Sequence, residues 1–355
     1  MKIKSKNKGE LSELYTLARL LADGKIYAAD EDLKRIKDCF MPILKIFREE
    51  KNKSLEYELT ENHVVKLYLD GSLIRSIEST ELDILAKNFF KVLEAGNGIT
   101  LAEEVMQKLQ CEKVKASSRD KIDIKMQVHD PVTNYNVICG YSIKSDIGNA
   151  PTLFNASQAT NFKFEVKGLT ASQIEEINSI ESKGKIRDRV KKIKKFGTSE
   201  FVGVENETFA RNLLFIDNQM EKFLAEMLKI YYGEDIASCV ELAAVLEDRD
   251  PFNFKTQNLY RHKLKKFLCA VALGLNPTQN WNGLDEANGG YIIVKKSGEV
   301  VAYHLHDRNS FENYLLKNTS FDTPSSSRHN FGKIFAQDGK YFIRLNFQIR
   351  FKKSS

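Results

Sequence analysis

Several common sequence signals are absent from this chain of 355 residues. No apolar run reaches the length of a membrane-spanning helix, and the N-terminus MKIKSKNKGEL is charged where a secretory signal would be apolar. We therefore expect no membrane segment and no secretory leader. The glycine-rich phosphate loops of nucleotide-binding proteins and the GxSxG motif of serine hydrolases are also missing, so nucleotide hydrolysis and serine catalysis have no support.

Cysteine is scarce and scattered, at positions 39, 111, 139, 239 and 269. The number is odd, and neither CxxC spacing nor a nearby histidine pair indicates a zinc site. The simplest interpretation is five reduced thiols, which predicts a cytoplasmic protein.

The composition is that of a globular protein with a mild excess of positive charge. Hydrophobic residues make up 42% of the chain and 22 residues are Phe, which is enough apolar surface for a sizeable core. The formal net charge of +6 suits a polyanionic partner without requiring one.

The strongest local pattern lies in the segment IDIKMQVHD-PVTN-YNVICGYSIK, residues 122–144. Apolar and polar residues alternate in the first run and again in the last. Period two predicts strands, and the residues between the runs are typical of turns, so the segment is predicted to be an antiparallel hairpin.

One face of this hairpin carries chemically useful groups. Folding about Val132 and Thr133 would place Asp123 opposite Ser142, and Lys144, two residues along, shares that polar face. A carboxylate can hold Mg²⁺ through its oxygens, and a lysine beside it can orient water or stabilise charge at a phosphate. This is the minimum for metal-dependent phosphodiester hydrolysis. Taken alone, the hairpin favours the simpler interpretation of a solvated polar face.

The flanking residues favour a nuclease. The stretch GYSIKSDIGNAPTLFNASQATNF resembles the HpaII-type restriction endonucleases, as do NKGELSELYTLARLLADGKIYAAD near the N-terminus and YFIRLNFQIRF near the C-terminus. The resemblance covers nearly the full chain. It implies the PD-(D/E)xK nuclease fold, Mg²⁺ as cofactor, double-stranded DNA as substrate, and a short palindromic site, with CCGG as the expected sequence.

The resemblance also implies roles for individual residues. The superfamily pattern has an acid on one strand, an acid-x-lysine on the next, and a glutamate on a preceding helix. Here Asp123 takes the first acid position and Lys144 the lysine position, but Ser142 stands where the second acid is expected. Other nucleases that cut CCGG-containing sites share this Ser-x-Lys and take an acid from the following helix. That position corresponds to Gln158 here, with Glu165 further on.

The helix glutamate of the pattern has two candidates, Glu10 and Glu13, at the start of a predicted first helix. The resemblance implies that Glu13 joins Asp123 in holding the metal. Acids also favour helix N-termini because of the helix dipole, so helix capping explains the same residues. The predicted catalytic set is therefore Asp123, Ser142, Lys144 and Gln158, with Asp123 and Glu13 as metal ligands.

Basic and amide residues elsewhere are candidates for DNA contact. The segment 183–195 holds eight basic residues and one acid, and its apolar residues share one helical face. Its basic face can meet phosphates or can simply be solvated. Asn, Asp and Arg side chains can read base edges, although turns and edge strands explain them equally well. The predicted contacts are Ser145, Asp146, Asn155, Asn161, Lys191, Lys192, Lys194, Lys195, Arg328, His329, Arg344 and Arg350.

The order of elements predicts an α/β (α+β) fold, a mixed sheet flanked by helices with a helical and β-rich C-terminal part. Among the predicted elements are helices over 11–22, 32–50 and 207–232 and a single strand over 341–351. A soft boundary near residue 170 would separate a nuclease core, residues 1–170, from a recognition part, residues 171–355. One continuous domain is the alternative.

These observations predict a type II restriction endonuclease. A palindromic site makes a homodimer, or two successive cuts by a monomer, the natural geometry. A repair or recombination nuclease of the same fold is one alternative. A DNA-binding module with a degenerate site is another, and the departures at Ser142 and Gln158 keep it open.

Overall fold

The computed structural model describes residues 8–96, 99–114 and 121–352. The helices are α1 (Lys8–Asp23), α2 (Ser79–Ala95), α3 (Ile99–Lys108), α4 (Ala171–Asn178), α5 (Lys185–Phe196), α6 (Glu207–Leu214), α7 (Met220–Glu234), α8 (Cys239–Arg249), α9 (Leu259–Leu273), α10 (Arg308–Asn318) and α11 (Ser326–His329). In the described part of the chain, no helix is both long and apolar enough to cross a membrane.

The strands are β1 (Lys25–Ala29), β2 (Arg35–Glu50), β3 (Lys53–Leu59), β4 (Val64–Leu69), β5 (Ser72–Glu78), β6 (Ile124–Asp130), β7 (Tyr135–Ser145), β8 (Thr152–Phe154), β9 (Phe162–Lys167), β10 (Thr198–Val204), β11 (Gly290–Val294), β12 (Val300–His304), β13 (Thr319–Asp322), β14 (Ile334–Gln337), β15 (Lys340–Leu345) and β16 (Gln348–Phe351). Short 3₁₀ turns lie at Gln158–Thr160 and Leu305–Asp307.

The largest sheet has nine strands in the order β1-β12-β11-β7-β6-β2-β3-β4-β5. Because β1 also pairs with β2, six of these strands close into a barrel-like ring, and β3 to β5 extend it. The pairs β1–β12 and β7–β11 are parallel, whereas the remaining pairs are antiparallel. The predicted mixed sheet with flanking helices is therefore confirmed.

Strand β11 separates two hydrophobic clusters. Tyr291 and Ile293 belong to the cluster formed largely by α7, α9 and the C-terminal strands. Ile292 and Val294 belong to the cluster formed by α1, α2 and the first strands. This is the alternation of a strand, and here both faces are buried. The neighbouring strand β7 therefore has one face toward each cluster.

The predicted helix over 32–50 is wrong, because residues 35–50 form the long strand β2. Its buried positions alternate toward the end of the strand, where Ile46, Arg48 and Glu50 point inward. Pro42 lies in the middle of this segment, and proline in a helix interior removes a hydrogen bond and clashes with the preceding turn. The strand avoids that cost.

Two other elements are divided where one was predicted. The helix over 207–232 is α6 and α7, separated by the turn at 215–219. The strand over 341–351 is β15 and β16, separated at Asn346 and Phe347. The helix over 11–22 is confirmed as α1.

Strands from both sides of residue 170 pair in each sheet. β7 pairs with β11, β9 pairs with β10 and β15, and β8 pairs with β16. The boundary near residue 170 stays a prediction, and this pairing is what the alternative of one continuous domain requires.

Asn346 is the centre of a buried polar network. It is fully buried, and its Oδ1 accepts hydrogen bonds from Thr160 Oγ1 at 2.9 Å and from the Phe347 nitrogen at 2.8 Å. Its Nδ2 donates to the Ser157 oxygen at 2.8 Å and to Asn161 Oδ1 at 2.7 Å. The network connects the β15–β16 turn to the segment that precedes β9.

We expect Asn346→Ala to lower the free energy of unfolding by about 3 kcal/mol, because it leaves several buried donors and acceptors without partners. Asn136→Ala is the control, since Asn136 is exposed and bonds the His129 ring at the surface. Its effect should stay below about 0.5 kcal/mol. Urea unfolding of both variants measures the difference, and equal effects would contradict a special role for the network.

Candidate active site

The hairpin of β6 and β7 has the predicted register. Its pairs run from Ile124 with Tyr141 to Asp130 with Tyr135. Asp130 is buried and closes the turn, since its carboxylate accepts hydrogen bonds from the Val132 nitrogen at 2.9 Å and from Thr133 Oγ1 at 2.7 Å. The acid at the turn is thus committed to local structure.

Asp123 and Ser142 are in direct contact at the other end of the hairpin. Asp123 Oδ2 accepts hydrogen bonds from Ser142 Oγ at 3.2 Å and from the Ile143 nitrogen at 2.8 Å. The Asp123 nitrogen donates to the Tyr141 oxygen at 2.9 Å. Ser142 thus contributes a neutral hydrogen-bond donor to the Asp123 carboxylate.

Lys144 lines an open cavity of about 820 Å³ together with Glu10 and Glu13 of α1 and the loop 147–152. The Oε2 atom of Glu13 is shielded from solvent. Ser12 Oγ donates to Ser145 Oγ at 2.9 Å, and this buried hydrogen bond holds α1 against β7. The structure therefore brings the predicted lysine and the predicted helix glutamate to one cavity.

Two charged residues near this site were missed by sequence reasoning. The backbone nitrogen of Lys121 donates to Glu286 Oε2 at 2.9 Å. Burial lowers the pKa of the Lys121 ammonium to about 8, and the positive charge of Lys144 adds to that effect. The charges of Glu286 and Asp123 oppose it. The only sequence signal is that Lys121 precedes Asp123 by two residues, which is the period of one strand face.

Gln158 lies apart from this cavity. It is exposed on a 3₁₀ turn, and its Nε2 donates to the Arg328 oxygen at 3.5 Å. Glu165 lies on β9 and forms an ion pair with Lys340 at 3.2 Å. Neither is among the described residues that line the cavity, and Asp123 and Ser142 are not among them either. The catalytic role of Gln158 stays a prediction, and this placement adds no support for it.

The predicted DNA-contact residues that follow the hairpin differ in how exposed their side chains are. Ser145 and Asn161 are 8% and 3% exposed, and both side chains are used inside the protein. Direct base contact would require these hydrogen bonds to break, and the role of both residues in DNA binding stays a prediction. Asn155 is exposed, and the Asp146 nitrogen donates to the Val294 oxygen at 2.8 Å beside β11.

The basic segment forms α5 as predicted, and most of its basic side chains form ion pairs with acidic residues. Lys191 pairs with Asp235, Lys192 with Glu176, and Lys194 with Glu234 at 3.6 Å. Arg189 is buried and donates to main-chain oxygens, Gly332 among them. No ion pair of Lys195 occurs among the described residues, where its ammonium lies 5.2 Å from the centre of the Phe196 ring.

The C-terminal arginines also differ. Arg344 Nε donates to Glu205 at 2.7 Å, and Arg350 Nε donates to Asp322 at 2.7 Å. Arg328 is exposed and forms no ion pair within the described ranges. Burial lowers the pKa of the neighbouring His329, and the charge of Arg328 lowers it further. Arg328 is thus the best placed of the three arginines for a groove contact.

Comparison with known proteins identifies the family of this chain. A model of the HpaII restriction endonuclease family matches residues 7–351. The chain belongs to this family. It is 40% identical over 356 residues to the type II restriction enzyme HpaII of Haemophilus parainfluenzae, and 98% of each chain is covered. No solved structure matches the chain.

Family membership confirms the predicted enzyme class. The chain is a type II site-specific deoxyribonuclease, and its substrate is DNA. The individual catalytic and DNA-contact residues stay predictions, and the geometry above indicates how to test them.

The first prediction from this geometry concerns α5. Lys194→Ala with Lys195→Ala should weaken binding to all DNA sequences alike and reduce the slope of log affinity against log salt by about one per lost phosphate contact. Lys191→Ala with Lys192→Ala should change the slope less, because those lysines form closer ion pairs and are less exposed than Lys194. Binding measured in Ca²⁺ over a series of salt concentrations tests this. An unchanged slope for both pairs would show that α5 is a solvated face.

Arg328 and Arg344 should differ in their effect on sequence discrimination. Arg328→Ala should reduce discrimination against single-base variants of the recognition site, since a bidentate arginine–guanine contact contributes about 1–3 kcal/mol. Arg344→Ala is the comparison, because its guanidinium is already held by Glu205. Relative affinities for the cognate and variant sites give the measurement. Uniformly weaker binding by Arg328→Ala would place that residue on the phosphate backbone.

Proposed function

We propose that this enzyme is a Mg²⁺-dependent nuclease of the PD-(D/E)xK kind that cleaves double-stranded DNA at CCGG. The observation that carries the proposal is the Asp123 carboxylate, held by Ser142 and Ile143 on the same hairpin as Lys144. An acid and a lysine on paired strands, with a helix glutamate beside the lysine, is the arrangement that the resemblance implies.

The residues present fit Mg²⁺. Asp123 and Glu13 are the carboxylates that would hold it, and both supply the hard oxygen donors that Mg²⁺ prefers. No group of three or more His, Cys, Asp or Glu side chains is placed to hold a metal in the part of the chain that is described. Mg²⁺ commonly binds through one or two carboxylates and takes its remaining ligands from water and substrate phosphates. The chemistry that it supplies when bound is neutralisation of phosphate charge and activation of water.

The protein side chains around the phosphate have separate tasks. The Ser142 hydroxyl and the Ile143 amide orient the Asp123 carboxylate. The Lys144 ammonium stabilises negative charge that develops on the phosphate, and Lys121 adds a second positive charge nearby. Because a serine replaces the second acid, the site carries one negative charge fewer than the superfamily pattern, which eases the approach of a polyanion.

Recognition of CCGG rests on the family resemblance, supported by the exposed Arg328. The relative from Haemophilus parainfluenzae is itself named a type II restriction enzyme. A palindromic site favours two copies related by a two-fold axis, so we include a homodimer on DNA in the proposal. We also place the enzyme in the cytoplasm, with its DNA substrate.

Digestion of plasmid DNA tests the proposal as a whole. Discrete fragments that require Mg²⁺, disappear with a chelator and end within CCGG would support it. Structure-dependent nicking would indicate a repair nuclease instead. Intact plasmid together with a gel shift would indicate a protein that binds DNA without cleaving it.

Asp123→Ala and Lys144→Ala should each reduce the cleavage rate by at least about a thousandfold, as expected when a preorganised charged group is lost. Neither substitution opens a large core cavity, and DNA binding in Ca²⁺ should persist because most phosphate and base contacts lie elsewhere. Single-turnover cleavage rates and gel shifts in Ca²⁺ measure the two effects.

Asp130→Asn is the matched control for Asp123→Ala. It keeps the oxygen that accepts from the Val132 nitrogen, and it replaces the charged oxygen that accepts from Thr133 Oγ1 with a neutral amide group. Cleavage by this variant and by Gln158→Ala should stay within about tenfold of the unmodified enzyme, since Asp130 bonds Thr133 at the turn and Gln158 bonds the Arg328 oxygen. Full activity of Asp123→Ala would show that Asp123 is not part of the active site.

A further inference from the structure

Tyr291 has a buried hydroxyl in an unusual position. The residue is fully buried on β11, and its ring packs against Phe311 at 5.3 Å and Phe351 at 6.2 Å between ring centres. In the described part of the chain its hydroxyl oxygen is shielded from solvent and has no hydrogen-bond partner. Buried hydroxyls nearly always have a partner, so this exception requires a reason.

Other buried tyrosines of this chain follow the rule. The Tyr57 hydroxyl donates to the Leu109 oxygen at 2.8 Å, and the Tyr232 hydroxyl donates to the Asn346 oxygen at 2.6 Å. Tyr303, on the adjacent strand β12, donates to the Asp30 oxygen. In each of them the hydroxyl connects two segments of the fold, and Tyr291 makes no such connection.

The position of Tyr291 relates it to the active site. β11 runs parallel to β7, and Tyr291 is the register partner of Ser142. Paired residues of neighbouring strands share a face, so Tyr291 lies on the side of β7 where Ser142 bonds Asp123. Burial raises the pKa of Tyr291 well above its usual value, and the Asp123 carboxylate adds to that effect. The strand register therefore places Tyr291 next to Ser142, the residue that donates a hydrogen bond to the Asp123 carboxylate.

A phenylalanine would fill the same volume without a buried polar atom. Retention of the hydroxyl is unfavourable for the fold as the structure shows it, because the group has lost its hydrogen bonds to water and has gained none. A hydrogen-bond partner beside Asp123 would remove this cost, and bound DNA and metal would bring new polar groups to that position.

We propose that Tyr291 is a positioning residue whose hydroxyl donates a hydrogen bond into the Asp123 site when DNA and metal are bound, and thereby orients the Asp123 carboxylate. Groups that orient a metal-binding side chain affect metal affinity and rate without contacting substrate. This inference rests on the proposed role of Asp123.

Tyr291→Phe in the full-length enzyme tests the inference. We expect kcat to fall roughly ten- to a hundredfold, as for other residues that orient metal ligands, while KM for DNA changes little. The Mg²⁺ concentration for half-maximal rate should rise. The urea midpoint should stay the same or increase, because a buried hydroxyl without a partner has been removed.

Tyr303→Phe is the matched control, since it removes a hydroxyl from the neighbouring strand and from the same aromatic cluster. Its urea midpoint should decrease because the bond to Asp30 is lost, and its kcat should be unchanged. Tyr291→Phe should thus lower kcat without lowering the urea midpoint, whereas Tyr303→Phe should lower the urea midpoint without lowering kcat.

Two outcomes would overturn the inference. One is a kcat for Tyr291→Phe equal to that of the unmodified enzyme. The other is a loss of activity that follows a lower urea midpoint, which would show a structural role. Asp123→Ala, measured in parallel, separates this inference from the proposed function: full activity in that variant removes both, whereas inactive Asp123→Ala with fully active Tyr291→Phe removes only the role of Tyr291.

Discussion

The two hydrogen bonds that the Asp123 carboxylate accepts from Ser142 and Ile143 determine the geometry of the candidate site. They join the start of one strand to the end of the next, at the point where Lys144 turns toward α1. Ser142 and Ile143 are almost completely buried, so the groups that orient the carboxylate are shielded from water. The strand that carries Tyr291 pairs with β7 at this contact, and the cavity with the helix glutamate begins at the next residues of β7, Ile143 and Lys144.

The hairpin could be predicted from sequence because its alternation is strict and a shift by one residue would turn every apolar side chain outward. The helix predicted over 32–50 failed because charged ends and an apolar middle fit either structure, and Pro42 was the residue that excluded a helix. Glu286 and Tyr291 could not be found, since they reach the site only through contacts between segments far apart in the chain. Lys121 had only its spacing from Asp123 as a signal.

Charge in the sequence and charge available to DNA are different quantities in this protein. The basic segment is prominent in the sequence, yet three of its six lysines face carboxylates from α4 and from the end of α7. Such surface pairs contribute little to stability and are screened by salt, so phosphates can compete for the same lysines. The exposed Arg328 is less conspicuous in the sequence, and the turn that carries Gln158 supports its backbone.

Strand β11 contributes alternate residues to two hydrophobic clusters, and this has a consequence for how the molecule unfolds. Removing β11 from the sheet would expose Tyr291 and Ile293 on one side and Ile292 and Val294 on the other at the same time. Neither cluster can therefore lose its packing while the other stays intact. Despite its size and its three sheets, the chain should melt cooperatively, and the slowest amide exchange should occur in this strand and in its partners β7 and β12.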